Sequence, residues 1–275
     1  VTAGKAEYLG RDFTNRGVAA STRAGIGYVT DDRLHEGSVA ASSVAENVAL
    51  KAIGRKPFSN GFWLNRRAMD ERARQLILDF SVKTPGAETP IGRLSGGNIQ
   101  KLLLGRELSL NPRILVVNKP TNGLDLRTTA FIWRQLRDQA DAGNAVVLIS
   151  SEIEELLEVS DRIGVMRAGK MVQVGSPHDI YTAPRTRFVS EFVGDVNVIP
   201  VSLSAKGMLR VSDNGQELKP PNMPEGFKSG HLVVRPEYLR FFSKTSEAEN
   251  ALEGRLYNEY ALGSRIQYQV RVGSQ

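Results

Sequence analysis

Leu94-Ser95-Gly96-Gly97-Asn98-Ile99-Gln100-Lys101 is the stretch on which the reading of this chain turns. A hydroxyl and two glycines precede Ile99, Leu102, Leu103 and Leu108, which are apolar positions at helical spacing. Glycine leaves the backbone N–H groups of a first turn uncovered, and the positive end of a helix dipole favours an anion there. A Ser N-cap before an ordinary amphipathic helix explains the same residues without a ligand. By itself the stretch leaves both readings open.

The residues downstream separate them. Arg113-Ile114-Leu115-Val116-Val117 leads into Asn118-Lys119-Pro120-Thr121-Asn122-Gly123-Leu124-Asp125. An apolar, β-rich run that ends in polar residues and a Pro- and Gly-containing turn predicts a buried parallel strand delivering side chains to a cleft. A helix over about 128–142 and a second run, Ala145-Val146-Val147-Leu148-Ile149-Ser150, complete a βαβ unit.

In this order and spacing, the segment from about 1 to 175 resembles the C-terminal part of an ABC transporter nucleotide-binding domain. LSGGN at 94–98 resembles the family signature, ILVVNK at 114–119 its Walker B strand and PTNGLD at 120–125 its D-loop. Ser151-Glu152-Ile153-Glu154-Glu155-Leu156, followed by Ser160-Asp161-Arg162-Ile163, is similar to the switch segment and the hairpin after it. A finer likeness is to the second ATPase half of twin-domain importers for sugars and nucleosides. It rests on Gly25-Ile26-Gly27-Tyr28-Val29-Thr30-Asp31-Asp32-Arg33, Gly37, Ser43-Val44-Ala45-Glu46-Asn47 and the Asn98-x-Gln100-Lys101 ending. Asp31 stands near the place where most of the family has a glutamine.

The resemblance implies an α/β fold of the P-loop NTPase type over 1–175, with a helical signature subdomain over about 35–110. A connecting helix over 176–194 follows, through Phe188-Val189-Ser190-Glu191-Phe192-Val193-Gly194. The region 195–275 is rich in β-formers, Gly and Pro. Its Leu232-Val233-Val234-Arg235-Pro236-Glu237 and Glu253-Gly254-Arg255-Leu256-Tyr257 resemble the TOBE domain of polyamine, maltose and iron importer ATPases. That implies a small all-β, OB-like barrel, for which any small β-barrel is the plain alternative. The two parts thus resemble different transporter subfamilies.

The chemistry implied by the family is altered at several positions. A P-loop, G-x-x-x-x-G-K-[ST], cradles phosphates with its amides. Gly164 to Lys170 matches the first part of that pattern, but Met171 lacks the hydroxyl and a hairpin turning at Ala168-Gly169-Lys170 is the better reading. Val1 to Asp12 resembles the strand and turn that follow a P-loop helix, so the chain reads as a nucleotide-binding domain lacking its P-loop. Asn118 replaces the aspartate that would hold Mg2+, and a neutral amide is a poor ligand for a hard cation. Lys119 replaces the glutamate that would polarise water, and an ammonium has no lone pair with which to accept a proton. Ser151 replaces the switch histidine. No catalytic position is intact, and the chain's own site is expected not to hydrolyse ATP.

The signature itself is retained. By resemblance Ser95, Gly96, Gly97, Asn98 and Gln100 complete an ATP and Mg2+ site whose P-loop belongs to a second ATPase domain, while Asp125 meets that domain through the D-loop. Asp31 occupies the Q-loop-like position. A transmembrane permease is the other implied partner, received by the helical subdomain. There, Asn65 to Phe80 reads as a helix with Asn65 as N-cap and Ala73, Leu76, Ile77 and Phe80 on one face. Phe58, Phe62 and Trp63 just before it either dock a partner or pack inward.

Composition sets bounds on the remaining choices. The chain has 275 residues, a formal charge of +6 and no cysteine, which rules out a disulfide framework or a thiolate metal site. Its apolar runs fall far short of the roughly 18 residues of a membrane helix. The implied location is therefore the cytoplasmic face of the membrane, held peripherally through a partner with no direct insertion. His35, His178 and His231 are isolated and receive no metal role. A non-enzymatic regulatory or scaffold chain that senses a ligand through the β-barrel is the alternative to an ATP-binding subunit. A nucleic-acid binder is the weaker third reading, because the β-region has no run of stacking aromatics flanked by Arg.

Overall fold

The computed structural model describes residues 4–60, 63–220, 223–242, 250–262 and 265–272, and the chain divides into two units at Ser160/Asp161. Phe62, one of the aromatics singled out above, lies outside the described residues.

The first unit opens with a small hairpin, β1 (Glu7–Tyr8) and β2 (Arg11–Asp12), then α1 (Val18–Arg23) and β3 (Ile26–Val29). Next come α2 (Val44–Ala49), a short pair β4 (Ser59–Asn60) and β5 (Trp63–Leu64), and α3 (Arg66–Asp79). α4 (Gly96–Leu108), β6 (Ile114–Asn118), α5 (Leu126–Asp141), β7 (Ala145–Ile149) and α6 (Ile153–Val159) complete it.

The helix starts are written in the sequence. Ser43 and Glu46 close a capping box on α2, and Asn65 accepts from the Ala68 amide to cap α3, as its sequence predicts. Met69, Ala73 and Leu76 of α3 are buried, and Phe80 packs with them. They join Leu102, Leu103 and Leu104 of α4 and the inner faces of the strands in one core. Phe58 packs against that core, whereas Trp63 is 82% exposed.

β3, β6 and β7 form a parallel three-stranded sheet in the order β3-β6-β7. Val29, Leu115 and Val117 point into the core and are at most 2% exposed. The strands are not buried on both faces, as the apolar runs predict. Tyr28, Val147 and Ile149 on the other face are 43%, 48% and 49% exposed. Period-two alternation puts them on the face opposite Val29, Leu115 and Val117.

The second unit begins with the antiparallel hairpin β8 (Ile163–Arg167) and β9 (Lys170–Gly175). Ala168 and Gly169 make its turn with φ of 48° and 76°, the left-handed pair expected of a two-residue hairpin loop. The expected connecting helix over 176–194 is two short helices, α7 (Pro177–Thr182) and α8 (Arg187–Phe192). Pro184 holds Ala183 out of the helical region at φ −129°, ψ 56°, and Thr186 caps the new start. Beyond them β10 (Asn197–Leu203), β11 (Leu209–Val211), β12 (Glu217–Leu218) and β13 (Ser229–Val234) form an antiparallel sheet in the order β12-β11-β10-β13.

β14 (Gly254–Leu262) and β15 (Arg265–Val272) pair only with each other. An OB-like barrel is therefore not closed among the described strands, because this hairpin makes no ladder with the four-stranded sheet. Val201, Leu209, Val211 and Leu218 form the small core of that sheet. Arg235, just after β13, is 6% exposed and donates from Nη2 to the Tyr181 carbonyl at 2.8 Å, with its guanidinium 3.7 Å from the Tyr181 ring centroid. Among the described residues no helix is long and apolar enough to cross a membrane.

Candidate functional site

Parallel strands end on one edge of their sheet, and loops leaving that edge are where α/β folds place ligands. Register fixes which residues meet there. Val29 pairs with Val117, and Asn118 pairs with Ile149, so Asp31, Lys119 and Ser150-Ser151 leave the sheet side by side. Asn118 Nδ2 donates to Asp31 Oδ1 at 2.8 Å, which joins two of the positions picked out by the sequence. The Lys119 amide donates to the Ile149 carbonyl at 2.7 Å while Lys119 itself sits at φ 43°. A left-handed lysine is an uncommon and costly conformation, which the packed turn around it sustains. Lys119, Thr121, Asn122, Ser150, Ser151 and Glu152 line a cavity of about 60 Å³.

The turn from Lys119 to Asp125 is tied to both neighbouring helices. Gly123 takes φ 66°, and Asp125 accepts from the Thr128 amide at 3.0 Å and the Thr128 hydroxyl at 2.7 Å to cap α5. Those bonds hold the exposed Asp125 carboxyl below the usual carboxylate range, the side-chain hydroxyl contributing most. Glu155 of α6 is 1% exposed, and its Oε1 accepts from the Thr121 hydroxyl at 2.8 Å and from the Trp133 indole at 2.9 Å. Its Oε2 is buried without a partner among the described residues.

At the start of α4 the sequence-based N-cap is only half right. Ser95 has the extended backbone of a cap, yet no side chain accepts from the first-turn amides. Its Oγ instead accepts from Asn98 Nδ2 at 2.9 Å, and Asn98 Oδ1 accepts from the Lys83 amide at 2.8 Å. The first-turn amides at this positive helix end are thus not capped by Ser95. Gly97 packs beside Thr128, where an added Cβ would lie 3.3 Å from Cγ2. Gly96 lies beside Arg33, whose Nη1 would stand 3.0 Å from a Cβ there.

Gln100 does not face outward with the rest of the signature stretch. It is 1% exposed, and its Oε1 accepts from Arg33 Nε at 2.9 Å. Arg33 Nη2 also donates to the Asn122 carbonyl. Burial lowers the Arg33 pKa, and the neighbouring Asp31 charge works in the opposite direction.

Arg33, Thr121, Trp133 and Glu155 therefore belong to this region although the sequence assigned none of them a role. Arg33 and Glu155 fall inside stretches already quoted, but their partners lie 67 and 34 residues away, beyond the reach of periodicity. Asp125, Asp31, Asn118, Lys119 and Ser151 are gathered on one side of the first unit, with Ser95, Gly96, Gly97 and Asn98 at the adjoining helix end.

The donor set decides what each end suits. At the β6 end one carboxylate, one amide already engaged with it and one ammonium form a poor set for Mg2+, which takes oxygen ligands with negative charge. Among the described residues no group of three or more His, Asp or Glu is placed to hold a metal ion. At the α4 end, uncapped amides, a hydroxyl and two glycines suit a phosphate oxygen.

No protein-family model matches the chain. It is 38% identical over 170 residues to the guanosine import ATP-binding protein NupO of Bacillus subtilis, a match covering 62% of this chain and 33% of that protein. It is 33% identical over 237 residues to the spermidine/putrescine import ATP-binding protein PotA of Pseudomonas fluorescens, covering 84% and 62%. The chain thus spans about a third of the nucleoside relative's length and less than two thirds of the polyamine relative's.

Among solved structures it resembles the ATP-binding cassette MJ0796, in a dimeric post-hydrolysis state bound to ADP and Pi. The TM-score is 0.53 at 21% identity, covering 64% of this chain and 74% of that one. The ADP conformation of MJ1267, an ATP-binding cassette of an ABC transporter, gives 0.54 at 19% identity, covering 70% and 78%. The chain carries the α/β fold of an ABC nucleotide-binding domain.

Proposed function

We propose that this chain is an ATP-binding component of an ABC-type importer, and that it offers Ser95, Gly96, Gly97 and Asn98 to a nucleotide held by a second ATPase domain. The observation that carries the reading is the contrast between two ends of one unit. The first turn of α4 has no side-chain cap from Ser95, whereas Asn118, Lys119 and Ser151 put no carboxylate or imidazole at the three strand-end positions they occupy. In this reading the chain's own site does not hydrolyse ATP, and Mg2+ and the P-loop are supplied at the composite site.

The relatives' printed names support import of a small solute, of the nucleoside, sugar or polyamine class. The polyamine relative's match of 237 residues is longer than the first unit, which supports reading 195–275 as a TOBE-like accessory region. A permease then holds the assembly at the cytoplasmic face of the membrane. Asp125, exposed at the start of α5, is the residue we assign to the contact with the second ATPase domain.

Phosphate release from ATP tests the reading in the importer assembled from the full chain, a P-loop-bearing ATPase and the permease. Ser95→Arg fills the amide end and is expected to lower the rate about a hundredfold, the scale of a lost charge-stabilising donor. An unchanged rate removes the signature role. ATP hydrolysis by the chain alone removes the claim that its own site is inert.

A further inference from the structure

Arg33 bridges α4 and the turn after β6. Its Nε donates to Gln100 Oε1 at 2.9 Å, inside α4, and Nη2 donates to the carbonyl of Asn122, in the turn after β6. Nη1 lies against Gly96, the first residue of α4. Two residues before it, Asp31 accepts from Asn118 at the end of β6. A guanidinium suits such a junction because its planar fork presents donors in fixed directions, which a lysine ammonium does not.

Two details set this junction apart from ordinary packing. Gln100 is 1% exposed and its Nε2 has no partner among the described residues, so Arg33 supplies the hydrogen bond that its side chain makes. A cation also sits on the positive end of a helix, where the dipole opposes it. The arrangement is unfavourable for the helix alone and becomes favourable once a phosphate oxygen arrives between the two positive groups.

We propose that Arg33 is a positioning residue, holding the Ser95–Gly97 end of α4 in register with the 119–125 turn so that the signature end is presented in one orientation. Through Asp31 the same residue links that end to the altered β6 end, so a change at either is felt at the other. This rests on the reading that the signature end is offered to a partner's nucleotide. It goes beyond that reading by naming what fixes the geometry of the offer.

The test is steady-state ATP hydrolysis by the assembled importer carrying Arg33→Ala, Arg33→Lys, Gln100→Leu or Ser95→Arg, with thermal melting of each variant chain. Arg33→Ala is expected to lower kcat about tenfold while KM for ATP stays within about twofold, as for lost orientation and not lost binding. Millimolar guanidinium is expected to restore part of that loss. Arg33→Lys should fall between Arg33→Ala and the parent, and Gln100→Leu should lower kcat in the same sense.

An unchanged kcat in Arg33→Ala overturns the proposal. So does a loss that guanidinium does not restore and that tracks only a lower melting temperature. If Ser95→Arg abolishes turnover while Arg33→Ala does not alter it, the positioning role fails and the signature role stands. If Ser95→Arg changes nothing, both fail together.

Discussion

At the start of α4, Ser95, Gly96 and Gly97 keep a helix end open, with Arg33 and Asn98 arranged around it. At the carboxyl ends of β6 and β7, a neighbouring loop system carries Asn118, Lys119 and Ser151. Both regions rest on the same core, through Leu102 to Leu104 on one side and Leu115 and Val117 on the other. They differ in what their side chains can do. In the proposed reading the first presents donors that need only be held still, and the second has an amide and an ammonium where hydrolysis calls for carboxylates. On that reading binding geometry and chemical competence are separable, because the backbone sets the first and two or three side chains set the second.

The largest stability effect is expected at Glu155, which ties the second region to α5 and α6. Glu155→Ala leaves the partly buried Thr121 hydroxyl and Trp133 indole without their acceptor, at a cost of about 2–3 kcal/mol in urea unfolding. Glu155→Gln keeps an oxygen for both donors and should cost much less. Equal losses in the two variants would show that the acceptor is not what holds the 119–125 turn.

A smaller effect tests how far the second region stands from a metal site. Asn118→Asp replaces the 2.8 Å hydrogen bond to Asp31 with two facing carboxylates, costing about 1 kcal/mol without a divalent cation. Millimolar Mg2+ should return that loss, since paired carboxylates suit a hard cation. The readout is the melting temperature with and without Mg2+. No response to Mg2+ would mean that Lys119 alone keeps the metal away.

The smallest effect lies at Asp125, between the two regions. Its carboxyl is held below the usual range by Thr128, so the stability it contributes is present above its unfolded pKa and lost as pH falls through the folded value. Asp125→Asn keeps the cap without the charge. The stability difference between the parent and this variant should shrink as pH drops from neutral through the carboxylate range. A difference independent of pH would place the cap's strength in its geometry.

Much of the first unit was legible because its signals are local. The Asn65 cap and the strand at 114–118 follow from residues a few positions apart, as does the hairpin at 163–175 in the second unit. Where the reading went astray, a single residue or a distant partner intervened. Pro184 broke the expected helix over 176–194 in two, and Asn98 took the Ser95 hydroxyl away from its capping role. The barrel failed to close among the described strands because strand-rich composition does not specify which edges pair.

The sequence by itself determined α3, β6, α5 and β7, the paired glycines at the start of α4 and the chemical identity of Asn118, Lys119 and Ser151. These are properties of short segments, governed by periodicity, capping and functional-group chemistry. Only the tertiary structure decided that Gln100 turns inward, that Arg33 joins α4 to the turn after β6, and that Glu155 is buried between two donors. The partners in these contacts lie 22 to 89 residues apart. No local propensity encodes such pairs. They form when the parallel register and the shared core bring separate segments within hydrogen-bond distance.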